Sequence, residues 1–195
     1  MDFGSVTGFT ISLDQRQVGI LSSTIDYTWQ TAQGNSSDPI ETATRAAAGE
    51  DPRPRQVPLD WDQHNTINMT VSLSKQDNYS LSTILRFGSG QPYTPAIGSG
   101  FGASLERNSG RKPSGFLVDV RGEKHFTLAG SSVNFFVRVF NLLDARYFNG
   151  AVFANTGSPD YGLFPLSQDR DLLADPTRYY PPRRVEIGFT MNSLF

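Results

Sequence analysis

Short and long connections alternate along this chain without exception, and that alternation restricts its fold more than any motif does. Seven stretches place apolar residues at every second position: 6–13, 17–31, 65–75, 79–88, 115–127, 132–142 and 182–195. A period of two marks a strand with one apolar face. The links between them are residues 14–16, 32–64, 76–78, 89–114, 128–131 and 143–181. In an antiparallel meander this arrangement puts every tight turn at one end and every long loop at the other. Loops above about 12 to 15 residues are uncommon in compact domains, so three of them on one side need a physical reason.

The faces sharpen the expectation. Ile67, Met69, Val71 and Leu73 oppose Asn68, Thr70, Ser72 and Ser74, and Val133, Phe135, Val137 and Val139 oppose Asn134, Phe136, Arg138 and Phe140. Tyr79, Leu81, Thr83, Leu85 and Phe87 oppose Ser80, Ser82, Ile84 and Arg86. Tyr27, Trp29, Tyr79 and Phe126 fall near segment ends, where the aromatic girdles of a membrane barrel lie. The segments run long against the roughly 5 or 6 residues of an ordinary strand and match the ~9 to 11 that a tilted strand needs to cross a bilayer. An outer-membrane barrel has tight periplasmic turns and long extracellular loops by construction. The competing arrangement is a soluble β-sandwich, such as a secreted carbohydrate-binding module, in which the same apolar faces form a core.

Composition excludes several classes. Seventeen basic and nineteen acidic residues give a net charge of -2 with no basic block, which leaves a nucleic-acid partner without electrostatic support. Mean hydropathy is -0.35 and no apolar run approaches the ~20 residues of a membrane helix. A barrel escapes that test because half of each strand faces a polar lumen. Cysteine is absent, which removes disulfides, thiol catalysis and thiolate metal sites. The opening MDFGSVTGFT carries no basic and apolar leader pattern.

Chemistry-bearing residues are sparse. His64 and His125 are the two histidines, without metal-ligand spacing. Asp119, Arg121, Glu123 and His125 share one face of the fifth stretch, which a barrel hydrolase could use and which a wet lumen explains more simply. Asp60 and Asp62 flank Trp61, but two carboxylates fall short of the ~6 to 8 oxygens calcium takes. They are expected to terminate a loop. ETATRAAAGEDPRP, within 32–64, suggests a short helix stopped by Gly49 and Pro52. No catalytic residue, metal or cofactor is expected. Tyr93, Tyr147, Phe148, Phe153 and Tyr161 are the candidate ligand contacts, since loops on a rigid scaffold carry function.

Several stretches together resemble the C-terminal barrel portion of TonB-dependent outer-membrane receptors: VPLDWDQHNTIN (57–68), LRFGSGQPYTP (85–95), RKPSGFLVDVRGEKHF (111–126), VNFFVRVFNLLDARYFNG (133–150) and the ending PPRRVEIGFTMNSLF (181–195). Their order and joint presence span most of the chain. The resemblance implies an all-β antiparallel meander of about seven transmembrane strands, the last part of a 22-stranded barrel, with 32–64, 89–114 and 143–181 as extracellular loops. It implies a transporter, not an enzyme, in the outer membrane of a Gram-negative-type bacterium, taking up a scarce small-molecule ligand such as a siderophore, cobalamin, glycan or peptide. Its partners would be outer-membrane lipid, the barrel-assembly machinery, and a TonB complex reached only through an N-terminal region and plug that this chain lacks.

Phe195, with Met191, Phe189 and Ile187 on the same face, resembles the C-terminal assembly signal of such barrels, and Ser193 departs from its usual bulky residue. With the short turns in the periplasm, counting back places Met1 outside the cell, so the chain is expected to be a fragment of a longer protein.

Overall fold

The computed structural model describes residues 3–35, 44, 47–49, 56–96, 107–128, 130–146, 150, 152–162 and 176–193. Its elements are β1 (Gly4–Val18), β2 (Leu21–Gly34), β3 (Val57–Pro58), β4 (Asn65–Lys75), β5 (Tyr79–Gly88), β6 (Pro92–Tyr93), β7 (Gly110–Arg111), β8 (Gly115–Leu128), β9 (Ser131–Phe140) and β10 (Arg184–Ser193). The seven long strands form one antiparallel sheet in the order β1-β2-β4-β5-β8-β9-β10, and β3 adds to β2. β6 and β7 pair separately. The sheet is open, with β1 and β10 at its edges.

Register makes the sheet two-faced. Directly opposed residues share a face, and the pairings carry one parity across all seven strands. Ile11 pairs with Tyr27, Tyr27 with Ile67, Ile67 with Phe87, and Phe87 with Phe116. Further along, Val120 pairs with Val139 and Val139 with Val185. A slip of one residue at any ladder would turn a whole strand's apolar set over. The opposite face carries Thr24, Asn68, Thr70, Ser72, Arg86, Asp119, Arg121, Glu123, Arg138 and Glu186 in matching register.

The apolar face has no second layer over it among the described residues. Ile11 is 59% exposed, Ile187 66% and Phe189 72%, and Leu81, Phe126 and Phe135 in the middle strands are also exposed. No helix of the described residues is long and apolar enough to cross a membrane. Burial concentrates at the long-loop end, where Ala32, Val57, Leu59 and Leu117 are enclosed.

One boundary differs from the sequence expectation. The alternation puts the first turn at 14–16. β1 instead continues through a bulge between Gln15 and Val18, and the chain turns at Gly19, whose φ of +64° suits glycine. Asp14 and Gln15 accept hydrogen bonds from Thr24 and Ser23 across the ladder. The helix expected in ETATRAAAGEDPRP is described only at its core, where Ala48 N–H donates to Thr44 O at 2.9 Å and Gly49 sits at φ +72°. The rest of it lies outside the described residues, as does Phe195.

Asn141 ends β9 and fixes where the last long loop begins. It is 4% exposed, with φ +51°, a left-handed conformation that asparagine tolerates better than most residues. Its Oδ1 accepts from Ala145 N–H at 2.8 Å, and its Nδ2 donates to the Ala145 and Pro181 carbonyls at 2.9 and 3.2 Å. Its backbone N–H donates to Asp119 Oδ1 at 2.9 Å. One side chain thus ties both limbs of the loop together. Asn141→Ala should cost about 1 to 3 kcal/mol, from unmade buried hydrogen bonds and strain at positive φ. Asn141→Gly should lose less, because it relieves the strain alone; denaturant midpoints of the two variants check the ranking.

Candidate functional site at the long-loop end

The ladder between β2 and β4 breaks where a side chain replaces the backbone. Gln30 N–H donates to His64 O at 3.1 Å, so Ala32 N–H should meet the carbonyl of residue 62. It donates instead to Asp62 Oδ1 at 2.6 Å. The freed Asp62 carbonyl accepts from Arg111 at 2.6 Å, and Asp62 Oδ2 accepts from the same guanidinium at 2.5 Å. His64 Nε2 stands 2.9 Å from Asp62 Oδ2 and 2.7 Å from Arg111. At 1% exposure Asp62 is the most deeply buried charged side chain described, and its lone pairs are occupied as burial demands. The sequence reading of Asp62 as a loop terminator agrees with this, but Arg111, its partner 49 residues away, was not foreseen.

Other contacts bind loop to loop. Asn108, 4% exposed with φ +56°, donates to Pro58 O and to Asp60 Oδ1, both at 2.7 Å. Ala96 N–H donates to Ala154 O at 2.8 Å. All three long connections are therefore stitched together over the same end of the sheet.

The candidate ligand contacts divide. Tyr93 packs its ring against Gly110 and Gly157, so close that a Cβ at either glycine would collide with it. Phe153 is half-buried beneath the Arg178 guanidinium at 4.3 Å. Both are taken up in packing. Tyr161 is 55% exposed, and Tyr147 and Phe148 lie outside the described residues. Ile187, Phe189 and Met191 share the exposed apolar face of β10.

On the polar face, Arg86 pairs with Asp119 at 2.8 Å, Arg121 with Glu123, and Arg184 with Glu186 at 3.2 Å. Asp119 and Glu123 thus answer to arginines rather than to His125. A hollow of about 270 Å³ opens above Leu117 between Arg86, Phe140, Tyr180 and Arg184. Among the described residues no group of three His, Asp or Glu gathers to hold a metal ion.

The larger cleft, about 430 Å³, lies between residues 113–114 and the last long loop, lined by Ser114, Arg146, Thr156, Ser158, Asp160 and Tyr179. Arg146 lies over the Tyr179 ring at 4.6 Å and 3.6 Å from Asp160 Oδ1, to which the Tyr179 hydroxyl also donates. Partial burial, then the Asp160 hydrogen bond and charge, push the Tyr179 phenol above its usual 10, against Arg146 and Arg178. The neutral phenol is the donor, so this contact should persist from neutral pH up to 10 and be lost as pH rises through the elevated value. An ultraviolet tyrosinate titration, wild type minus Tyr179→Phe, should show the missing phenol ionising above 10.

No family model matches the chain, and no curated protein matches it.

Proposed function

We propose that this chain forms part of the wall of an outer-membrane β-barrel receptor of the TonB-dependent kind, and that its long loops help capture a small ligand for energy-coupled uptake. The observation that carries the reading is the single-layer sheet whose apolar face keeps one register over seven strands and stays largely uncovered among the described residues, Val133 apart. Patches of a few hundred Å² already mark binding or membrane surfaces on soluble proteins.

Aromatic residues border this face at both ends. Phe9, Trp29, Phe87 and Phe116 lie toward the loops, and Tyr79, Phe126 and Phe135 toward the turns. From Phe116 to Phe126 is about 33 Å along β8 at about 3.3 Å per residue. A strand tilt of about 40° reduces that to roughly 25 Å, the height of the apolar band of such barrels. Phe9 stacks on Trp29 with ring centroids 5.8 Å apart, which builds the girdle where two strands meet. The edges β1 and β10 would leave backbone groups unpaired in lipid, so further strands must pair with them in the membrane. The paired charges of the polar face suit a wet interior.

The cysteine-free sequence makes a topology test simple. A membrane-impermeant thiol reagent applied to intact cells should label Ser158→Cys in the last long loop. It should reach Asp77→Cys, in the short turn after β4, only once the outer membrane is opened. Equal labelling of both positions would exclude the receptor reading.

A further inference from the structure

Resting on the receptor reading, we propose that the cleft between residues 113–114 and the last long loop binds ligands through a zwitterionic α-amino-acid group, with Arg146 taking the carboxylate and Asp160 the ammonium. Three features of the cleft carry this. Among the described residues its charged lining is Arg146 and Asp160, 3.6 Å apart, so it presents a cation and an anion side by side, while Arg178 donates to the carbonyl of the lining residue Pro159. A polyanion would meet Asp160, and a polycation Arg146. A carboxylate and an ammonium on one carbon have the same spacing and the opposite order.

The second feature is orientation. The Arg146 guanidinium lies against the Tyr179 ring, which holds its plane, while its side chain remains 74% exposed. A planar fork of five N–H donors bound to one carboxylate oxygen at 3.6 Å keeps most of its donors for a ligand, and such forks match carboxylates bidentately. The third is the acceptor. Asp160 Oδ1 receives both the Tyr179 hydroxyl and Arg146, while its side chain is 53% exposed. At about 430 Å³ the cleft exceeds an amino-acid head group and has room for a substituent beside it. Ser114, Thr156 and Ser158 are among the residues that line the cleft.

The test uses the intact protein in detergent micelles and four probes: L-phenylalanine, N-acetyl-L-phenylalanine, L-phenylalaninamide and maltose. Saturation-transfer NMR and calorimetry should detect L-phenylalanine and show the two blocked forms weakened by at least about tenfold each, the loss of one charge-assisted contact. Arg146→Ala should abolish the preference for L-phenylalanine over its amide. Asp160→Asn should abolish the preference over the N-acetyl form. Arg146→Lys keeps the charge without the fork and should fall between wild type and Arg146→Ala. Both positions are exposed, and an unchanged circular dichroism spectrum confirms that the variants fold. Binding of maltose alone, equal binding of all three phenylalanine forms, or no binding by any probe would overturn the proposal. These outcomes are independent of thiol labelling at Ser158 and Asp77, which tests the receptor reading by itself.

Discussion

Val137→Arg is expected to weaken the sheet strongly in a bilayer, whereas Thr70→Arg leaves its stability there nearly unchanged. Val137 lies mid-strand on the apolar face, between Gly122 and Ile187. Arginine at the middle of a barrel's lipid face costs about 2 to 4 kcal/mol, a large share of what a barrel strand gains there. Thr70 lies mid-strand on the other face, between Thr24 and Ile84, and is already exposed. A charge placed toward water should change stability by no more than about 0.5 kcal/mol. Denaturant titration of the protein folded into phospholipid vesicles gives both numbers. Equal losses would mean that the faces do not meet different solvents.

The second large effect is expected at Asp62. Its carboxylate, 1% exposed, completes the ladder to Ala32 and neutralises Arg111, whose side chain is 34% exposed. Asp62→Ala leaves the arginine without its anion and the Ala32 N–H without an acceptor. Breaking a fully buried pair from one side costs about 3 to 5 kcal/mol, and because the Arg111 side chain is 34% exposed the loss should fall toward or below the lower end. Asp62→Asn keeps an oxygen for Ala32 and should cost less. The double variant Asp62→Ala with Arg111→Ala should cost less than the sum of the single variants, because each removes the same contact. Limited proteolysis supplies a local readout: cleavage should rise first within residues 56–64, which Asp62 and Asn108 fasten down.

How much of this was legible in the sequence depends on the distance over which each feature is encoded. Strand alternation is local, and Leu81, Thr83 and Leu85 announce their face without help from any other segment. Register is less legible, because alternation excludes a slip of one residue but not of two, and the pairing of Val120, Val139 and Val185 comes from the structure. The side on which every long loop emerges follows from the antiparallel meander. The end of β1 was less legible, since a polar run on an edge strand reads like a turn until Gly19 offers a better one.

The architecture of the loop end was not legible. Asp62 and Arg111 are 49 residues apart, and Asn108 and Pro58 are 50 apart, with no periodicity to connect them. A faint signal existed in Asn108, Asn141 and Asp144, residue types that tolerate positive φ and so mark loop corners. The aromatic candidates were ambiguous for a physical reason. Tyr93 and Phe153 offer a ligand the same flat apolar surface that they offer Gly157 and Gly162, and the glycines take it. Arg146 and Tyr179 carried no pattern in sequence, because their stacking depends on how the last loop folds back.

If alternate residues of one strand meet hydrocarbon and water, a cysteine scan along β9 should read that alternation residue by residue. Single cysteines at residues 133 to 139, each carrying a thiol-linked fluorophore, would be measured in vesicles of brominated lipid against aqueous iodide. Bromine should quench at Phe135, Val137 and Val139 and only weakly at the buried Val133, and iodide should quench at Asn134, Phe136 and Arg138. Iodide quenching at both parities, or protection of Phe135 and Val137 from both quenchers, would contradict that alternation.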